Sequence, residues 1–426
     1  MKKIFIIALV LILLIGIFFL FTKYYGKTIV NNLSISISLP LKNLLKENIK
    51  KNSKKISNDY NKVFLPNTQF NQLNFSKIKL DFLRLKDEGY LKSNPQKSFF
   101  IEKHNDKIFL ADKFGNFYYD QLKNIKIGKS DFKQISTNLV ENNNDVHIKT
   151  LDIHLVDDKI YFSKVIKKDK CKYLLVDVAK IDLEKFNFKN IFTSEDNNEC
   201  MSHSIWAGKM EVTDSKNLLI TTSGDHLYVE DKDGKSVLKE NEFDTKPQDD
   251  NSIFGKVLMI DTKSLKYEIF NKGHRNSIGL LVEKDFIIST ENGPRGGDEI
   301  NIEKKGANYG WNDASYGKKY FSEDMFLDHE IAGFEEPIFT FIPSIAITEI
   351  IKLDNNFTKE WQDNYLIGSL NGRHLLRLKF DKEKSKVLFI EKIFIGERIR
   401  DLLYDEVNKT VLLALEETGS IGVISK

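Results

Sequence analysis

Phe286-Ile287-Ile288-Ser289 is a short apolar stretch that closes on a small polar residue. Through Thr290 it leads into the glycine-rich run Glu291-Asn292-Gly293-Pro294-Arg295-Gly296-Gly297-Asp298-Glu299-Ile300-Asn301. Its β-branched and aromatic residues read as a buried strand rather than a helix. The same kind of segment recurs as Ile108-Phe109-Leu110-Ala111, Ile160-Tyr161-Phe162-Ser163, Leu218-Leu219-Ile220-Thr221, Tyr365-Leu366-Ile367-Gly368 and Val411-Leu412-Leu413-Ala414. Successive copies start 46 to 79 residues apart. A period of about 40–50 residues plus insertions suits propeller blades, each a four-stranded sheet around a central channel. Six copies predict an all-β, six-bladed β-propeller. No long amphipathic helical pattern lies between them, which excludes a Rossmann or TIM architecture. No Walker A, GxGxxG or HExxH motif occurs.

Working outward, residues 76–426 are assigned to the propeller and 23–75 to a polar, Asn- and Lys-rich stalk. Residues 1–22 are assigned to a transmembrane signal anchor. Ile4 to Phe21 are 18 consecutive uncharged, nearly all apolar residues behind Lys2 and Lys3. As a helix they rise about 27 Å, close to the ~30 Å of a hydrocarbon core. The following Lys23-Tyr24-Tyr25-Gly26-Lys27 offers no small-x-small cleavage site, so an uncleaved anchor is favoured over a removed signal peptide. The basic run from Lys46 to Lys55 reads as a solvated stalk.

The 426 residues carry 64 Lys plus Arg against 61 Asp plus Glu, a net charge of +3. That balance lacks the basic excess of a nucleic-acid binder. Cys171 and Cys200, the only cysteines, have no partner at metal-ligand spacing. In an exported domain they can form one disulfide; in a cytosolic one they would be two buried thiols.

The residues that carry chemistry lie in the second half. In the run after Phe286–Ser289, glycines permit positive φ and inward-turned carbonyls, while Asp298 and Glu299 supply hard oxygen ligands. Arg275, Arg398 and Arg400 fall at strand ends in different repeats, where a channel mouth would sit. Converging guanidiniums suit a planar polyanion, each gripping a carboxylate bidentately. The alternative is that they make salt bridges between blades.

Taken in order, Gly273-His274-Arg275-Asn276, the Glu291–Asn301 run, Gly306-Ala307-Asn308-Tyr309-Gly310-Trp311, Pro343-Ser344-Ile345-Ala346, Gly368-Ser369-Leu370-Asn371 and Arg398-Ile399-Arg400-Asp401 resemble the pyrroloquinoline-quinone (PQQ) glucose/sorbosone dehydrogenase family, which includes soluble glucose dehydrogenase and aldose sugar dehydrogenase. The resemblance is strong from Gly273 onward, faint from Cys200 to Lys272 and without motifs before that. It implies a six-bladed propeller, PQQ and calcium as cofactors, and a sugar or small polyol as substrate. By position, Arg275, Asn276, Asn292, Ser344, Asn371, Arg398 and Arg400 would contact PQQ. The carbonyls of Gly293 and Pro294 would hold a calcium bridging to PQQ. Glu299 and Tyr309 would form a second, structural calcium site, Tyr309 through its carbonyl. His274 is expected to support its loop. The family's periplasmic habit implies an inner-membrane protein with its propeller in the periplasm.

Two departures bear on catalysis. The family's general base is the His of an H-x-x-G-R segment, matched here by Ser204-Ile205-Trp206-Ala207-Gly208-Lys209. Ile205 holds the His position, and only a local bulge would bring His203 into register. Asp225, beside His226, would orient that base. A family lysine near the cofactor is replaced by Asn371. Two readings stand: a membrane-anchored sugar dehydrogenase, in which Ile205→His would raise the rate, or a propeller that binds a ligand or partner without catalysis. A calcium lactonase on a similar propeller would need carboxylates and amides around one central metal, which the cationic mouth disfavours.

Overall fold

The computed structural model describes residues 73–83, 97–139, 148–169, 171–201, 205–224, 228–230, 236–238, 246–284, 286–319 and 325–426. All of these lie in the unit Phe64–Lys426. The expected anchor and nearly all of the stalk, together with His203, Asp225 and His226, lie outside the described residues. Among the described residues no helix is long and apolar enough to cross a membrane.

Six antiparallel sheets follow one another along the chain. Blade 1 comprises Phe99–His104, Lys107–Asp112, Phe117–Gln121 and Lys133–Thr137, with Lys185–Phe186 added in parallel at its outer edge. Blade 2 is Ile148–Val156, Lys159–Lys168, Cys171–Lys180 and Lys189–Thr193. Blade 3 is Met210–Val212, Asn217–Thr221, Lys256–Asp261 and Tyr267–Lys272, interrupted by a hairpin of Tyr228–Glu230 and Ser236–Leu238. Blade 4 is Ser277–Glu283, Phe286–Glu291, Asp298–Ile302 and Phe339–Phe341. Blade 5 is Ile347–Lys352, Tyr365–Ser369, His374–Phe380 and Val387–Phe394. Blade 6 is Ile399–Asp405, Thr410–Leu415 and Ser420–Ser425, completed by the N-terminal strand Asn74–Lys79. That last pairing joins the two ends of the described chain and closes the ring. The first strand of each blade packs against the first strands of its two neighbours and lines the channel.

Each of the six segments read as a repeat is the second strand of its own blade. The physical reason is burial. A second strand is paired on both edges and covered by neighbouring blades on both faces, so it reads as a continuous apolar run. Ile108, Ile160, Leu218, Ile288, Ile367 and Val411 are all fully buried. Between blades the faces interlock: Ile288 and Ile300 of blade 4 pack with Ile347, Ile367 and Leu376 of blade 5. A cluster of Phe109, Phe117, Phe162 and Phe186 joins blades 1 and 2.

Cys171 and Cys200 are bonded, with Cα atoms 5.4 Å apart. The bond ties the start of blade 2's third strand to the segment beyond its fourth, beside the paired residues Lys172 and Met201.

Candidate functional site

Antiparallel pairing places the residues before each first strand at the same end of the channel as the turn after the second strand. Backbone bonds repeat that junction around the ring: Lys113 donates to Ser98, Asn292 to Asn276, Leu370 to Ala346 and Glu416 to Arg398. One rim therefore collects the expected site residues. Arg275 and Asn276 precede the first strand of blade 4, and Asn292, Gly293 and Pro294 follow its second. Ser344 and Asn371 take these two places in blade 5. Arg398 and Arg400 stand at the start of blade 6's first strand.

The glycine-rich loop is built by close backbone contact. A Cβ on Gly293 would meet the Gly297 carbonyl at 2.2 Å, so a larger residue cannot occupy that turn. Asp298 acts as its staple. One carboxylate oxygen accepts from the Gly293 N–H at 3.0 Å and the other from the Ile345 N–H at 2.7 Å. Burial nonetheless raises the Asp298 carboxyl above its ordinary value. Ser344 Oγ accepts from the Gly296 N–H at 3.0 Å, and Asn292 Nδ2 donates to the Ile347 carbonyl at 2.8 Å. The loops of blades 4 and 5 are thus locked together. Asn371 lies exposed, its N–H on the Ile345 carbonyl.

Arg275 Nη1 donates to the carbonyls of Asn292 and Gly293 at 2.7 and 3.1 Å, with its guanidinium 5.4 Å from the Trp311 ring centre. Beneath it His274 is fully buried between Glu291 and Glu303 and stacks on Tyr309. These two carboxylates raise the imidazole to about 10. His274 is thus a buried cation that holds the loop bases together.

Arg398 and Arg400 are brought together by a residue the sequence did not single out. Their Nε atoms donate to the two oxygens of the buried Glu416 at 2.5 and 2.8 Å. The guanidiniums hold Glu416 down to about 2 against the opposing effect of burial. The salt bridge lies within blade 6, not between blades. Its only advance signal was an acidic residue directly after a second strand.

The positions expected to hold metals differ in fit. The Gly293 carbonyl already accepts from Arg275. Glu299 lines a cavity of about 10 Å³ with Glu291, Gly293 and Tyr309, which suits one water-sized particle or a bare cation. Burial and the nearby Glu291 drive the Glu299 carboxyl well above its ordinary value, and its contact with Asn301 Nδ2 is long at 3.4 Å. Tyr309 is pinned through its hydroxyl, which donates to the Ile302 carbonyl and accepts from the Lys304 N–H. Among the described residues no three His, Cys, Asp or Glu side chains form a metal-binding group. A cation here would rest on Glu299 and backbone oxygens. For an organic ligand the fit is better: Asn276 Oδ1 is buried with no hydrogen-bond partner.

Below the rim the channel is plugged by Lys209, which takes the Arg place of H-x-x-G-R. Its ammonium pairs with Glu349, with Asp152 at 2.6 Å and with Asp401 at 3.3 Å, so four blades meet on one cation. Ile205 is 0% exposed and sits in the core shared by blades 2 and 3. It does not reach the mouth.

The profile of the glucose/sorbosone dehydrogenases matches residues 149–422. The aldose sugar dehydrogenase YliI of Escherichia coli is 29% identical over 174 residues, 39% of this chain and 46% of that one. The chain spans less than half the length of the curated relatives it matches. Among solved structures, the soluble aldose sugar dehydrogenase of Escherichia coli in its apo-form superposes with a TM-score of 0.64 at 19% identity, covering 83% of this chain and 99% of that one. The PQQ-bound aldose sugar dehydrogenase of Streptomyces coelicolor gives 0.55 at 15% identity, covering 82% and 98%. At these identities the structural likeness speaks for the six-bladed fold.

Proposed function

The chain belongs to the glucose/sorbosone dehydrogenase family, and on that footing we propose that it is a PQQ-dependent dehydrogenase oxidising a CH–OH group of a sugar. The observation that carries this reading is the pair Arg398 and Arg400, fixed at the mouth by one buried carboxylate. Because each guanidinium meets Glu416 through Nε, the donors on Nη are in place for the carboxylates of a planar anion. Arg275 and Asn276 would bind the same molecule from blade 4. When bound, PQQ supplies a quinone that accepts hydride from the sugar carbon. Calcium, if held by the Gly293 and Pro294 carbonyls, would polarise it as a Lewis acid, and a second calcium would lie at Glu299 and Tyr309.

The chain's own part is to bind, orient and move one proton. Removal of the hydroxyl proton needs a basic group within hydrogen-bond reach. His203 is proposed for that role with Asp225 orienting it, since Ile205 is committed to the core. The burial of Ile205 also favours the second reading, a propeller that binds without turning over. We place the propeller in the periplasm behind an uncleaved inner-membrane anchor, supported by the apolar run Ile4–Phe21 and by the Cys171–Cys200 bond, which suits an oxidising compartment.

Titration of the full-length chain with PQQ in calcium, followed by absorbance, tests the cofactor. Arg398→Ala is expected to weaken binding at least about tenfold, the lower part of the loss on truncating one partner of a buried charge pair. No calcium-dependent binding by the wild type would overturn the enzyme reading. Binding without sugar-dependent bleaching would leave the non-catalytic one.

A further inference from the structure

Every blade strand runs between the rim that gathers the site residues and the opposite face of the ring. In blade 6, Asn74 pairs with Ser425 and Lys79 with Ser420, so the N-terminal strand enters at the opposite face and climbs to the rim. In blade 1 the third strand, Phe117–Gln121, runs the other way and delivers the short helix Leu122–Lys126 to that same opposite face. We propose that this face of blades 1 and 6 docks on a bilayer surface bearing anionic lipid, with the rim turned away from it. The mouth is then left open to soluble sugar. The proposal rests on the anchor reading only for the presence of a membrane beside the protein.

Three observations support it. First, the charge is complementary. Residues 122–133 hold Lys123, Lys126, Lys129 and Lys133 against one acid, Asp131, a net charge of +3. All four lysines are exposed and have no ion-pair partner among the described residues. The exposed acids at the far turns of blades 1 and 6 are matched instead: Asp106 pairs with Lys107 at 2.7 Å and Glu406 with Lys103 at 2.9 Å. Second, the lysines surround an apolar tip. Ile127, directly after the helix, is 65% exposed, and a Cβ on Gly128 would meet nothing within 4 Å, so the turn stands clear of the body. Val407, 74% exposed, tips the far turn of blade 6. At a bilayer surface the apolar tips enter while the ammoniums reach back to the phosphates. Third, the patch shares a rigid mount with the strand at which the described chain enters. Leu122 and Ile125 are buried in one cluster with Ile78 of that strand. Asp120 accepts from the N–H groups of Gln121 and Asp131, each at 2.6 Å, and from Asn124 Nδ2 at 2.7 Å. A tether joined at this face keeps the patch at high effective concentration near the bilayer, so a weak surface attraction suffices.

The test uses the full-length chain in phosphatidylcholine vesicles made with or without phosphatidylglycerol. Ile127→Cys carries a polarity-sensitive fluorophore, and Cys171 and Cys200, bonded to each other, do not take the label. Ile342→Cys, at a rim residue 68% exposed, reports the opposite face. A blue shift at residue 127 that needs phosphatidylglycerol and is removed by salt is expected, with none at residue 342. Lys126→Gln and Lys129→Gln should each move the docking equilibrium about fivefold towards the free position, about 1 kcal/mol per lysine. Both side chains are exposed, so neither change disturbs the core. No shift at residue 127, any shift at residue 342, or an equal shift with soluble polyglutamate, which would point to an acidic protein instead, would overturn the proposal. Flotation of the same chain on phosphatidylcholine alone tests the anchor separately. Flotation without a shift at residue 127 sinks the docking and keeps the anchor, whereas a phosphatidylglycerol-dependent shift in a chain that does not float on neutral vesicles does the reverse.

Discussion

His274 Nδ1 lies 2.8 Å from Glu291 Oε2, and both side chains are buried. Glu291 also takes the N–H of Arg275 and the hydroxyl of Ser277, so this one pair fixes the approach of Arg275 to the rim. His274 stands at about 10, above its ordinary 6.5. Its contribution to stability is therefore complete below about pH 6.5 and is lost as pH rises through 10. Urea midpoints should fall between neutral pH and pH 10. His274→Gln should lower the stability at neutral pH by about 3–5 kcal/mol, the cost of breaking a buried pair, and flatten the alkaline slope. An unchanged slope in the variant would contradict the assignment.

Glu416 gives the opposite dependence. Its folded value of about 2 lies below the ordinary 4.5. The stability it brings is present above about pH 4.5 and is lost as pH falls towards 2. In Glu416→Gln the acid limb should become shallower while stability at pH 7 drops by several kcal/mol, about 3–5 for a buried pair. The variant should also bind PQQ less well, because Arg398 and Arg400 lose their common anchor. Circular dichroism across pH and a PQQ titration check the two halves.

Ile205→His was expected to restore a base. With Ile205 sealed against Leu151, Met210 and Leu218, the substitution instead places an imidazole in the core. A buried polar group without a partner costs about 1–3 kcal/mol, and the lost apolar contacts add to that. We expect a lower melting temperature and no gain in sugar oxidation. A faster enzyme at unchanged stability would show that the segment turns Ile205 towards the mouth.

Reduction of Cys171–Cys200 should destabilise blade 2 before the others. The bond closes a loop of 29 residues, which corresponds to about 3–4 kcal/mol in the chain-entropy picture. Cys171→Ser should match the reduced wild type in denaturant midpoint. Hydrogen exchange should localise the loss to Cys171–Lys180 and Lys189–Thr193. Uniform loss over all six blades would contradict it.

The six-bladed fold was legible because the second strand of every blade is buried on both faces. That burial leaves a local apolar run which needs no knowledge of its partners. The rim residues of blades 4 to 6 were legible for a related reason: a glycine-rich turn and a strand-end arginine are fixed by local backbone demands and by the chemistry of a ligand. Sequence alone therefore determined the blade count and which loops gather at the mouth. Other features are made by residues far apart in the chain. The Arg398–Glu416–Arg400 bridge, the Lys209 plug on Asp152, Glu349 and Asp401, and the stacking of Lys149 on Trp206 each join positions with no periodic relation. The two bonded cysteines belong here too, since compatible spacing leaves pairing open until the strands are placed. Ile205 shows the limit most plainly. Its position in a motif suggested the mouth, but a side chain's direction depends on the neighbouring blades, and only the assembled ring decided that it points into the core.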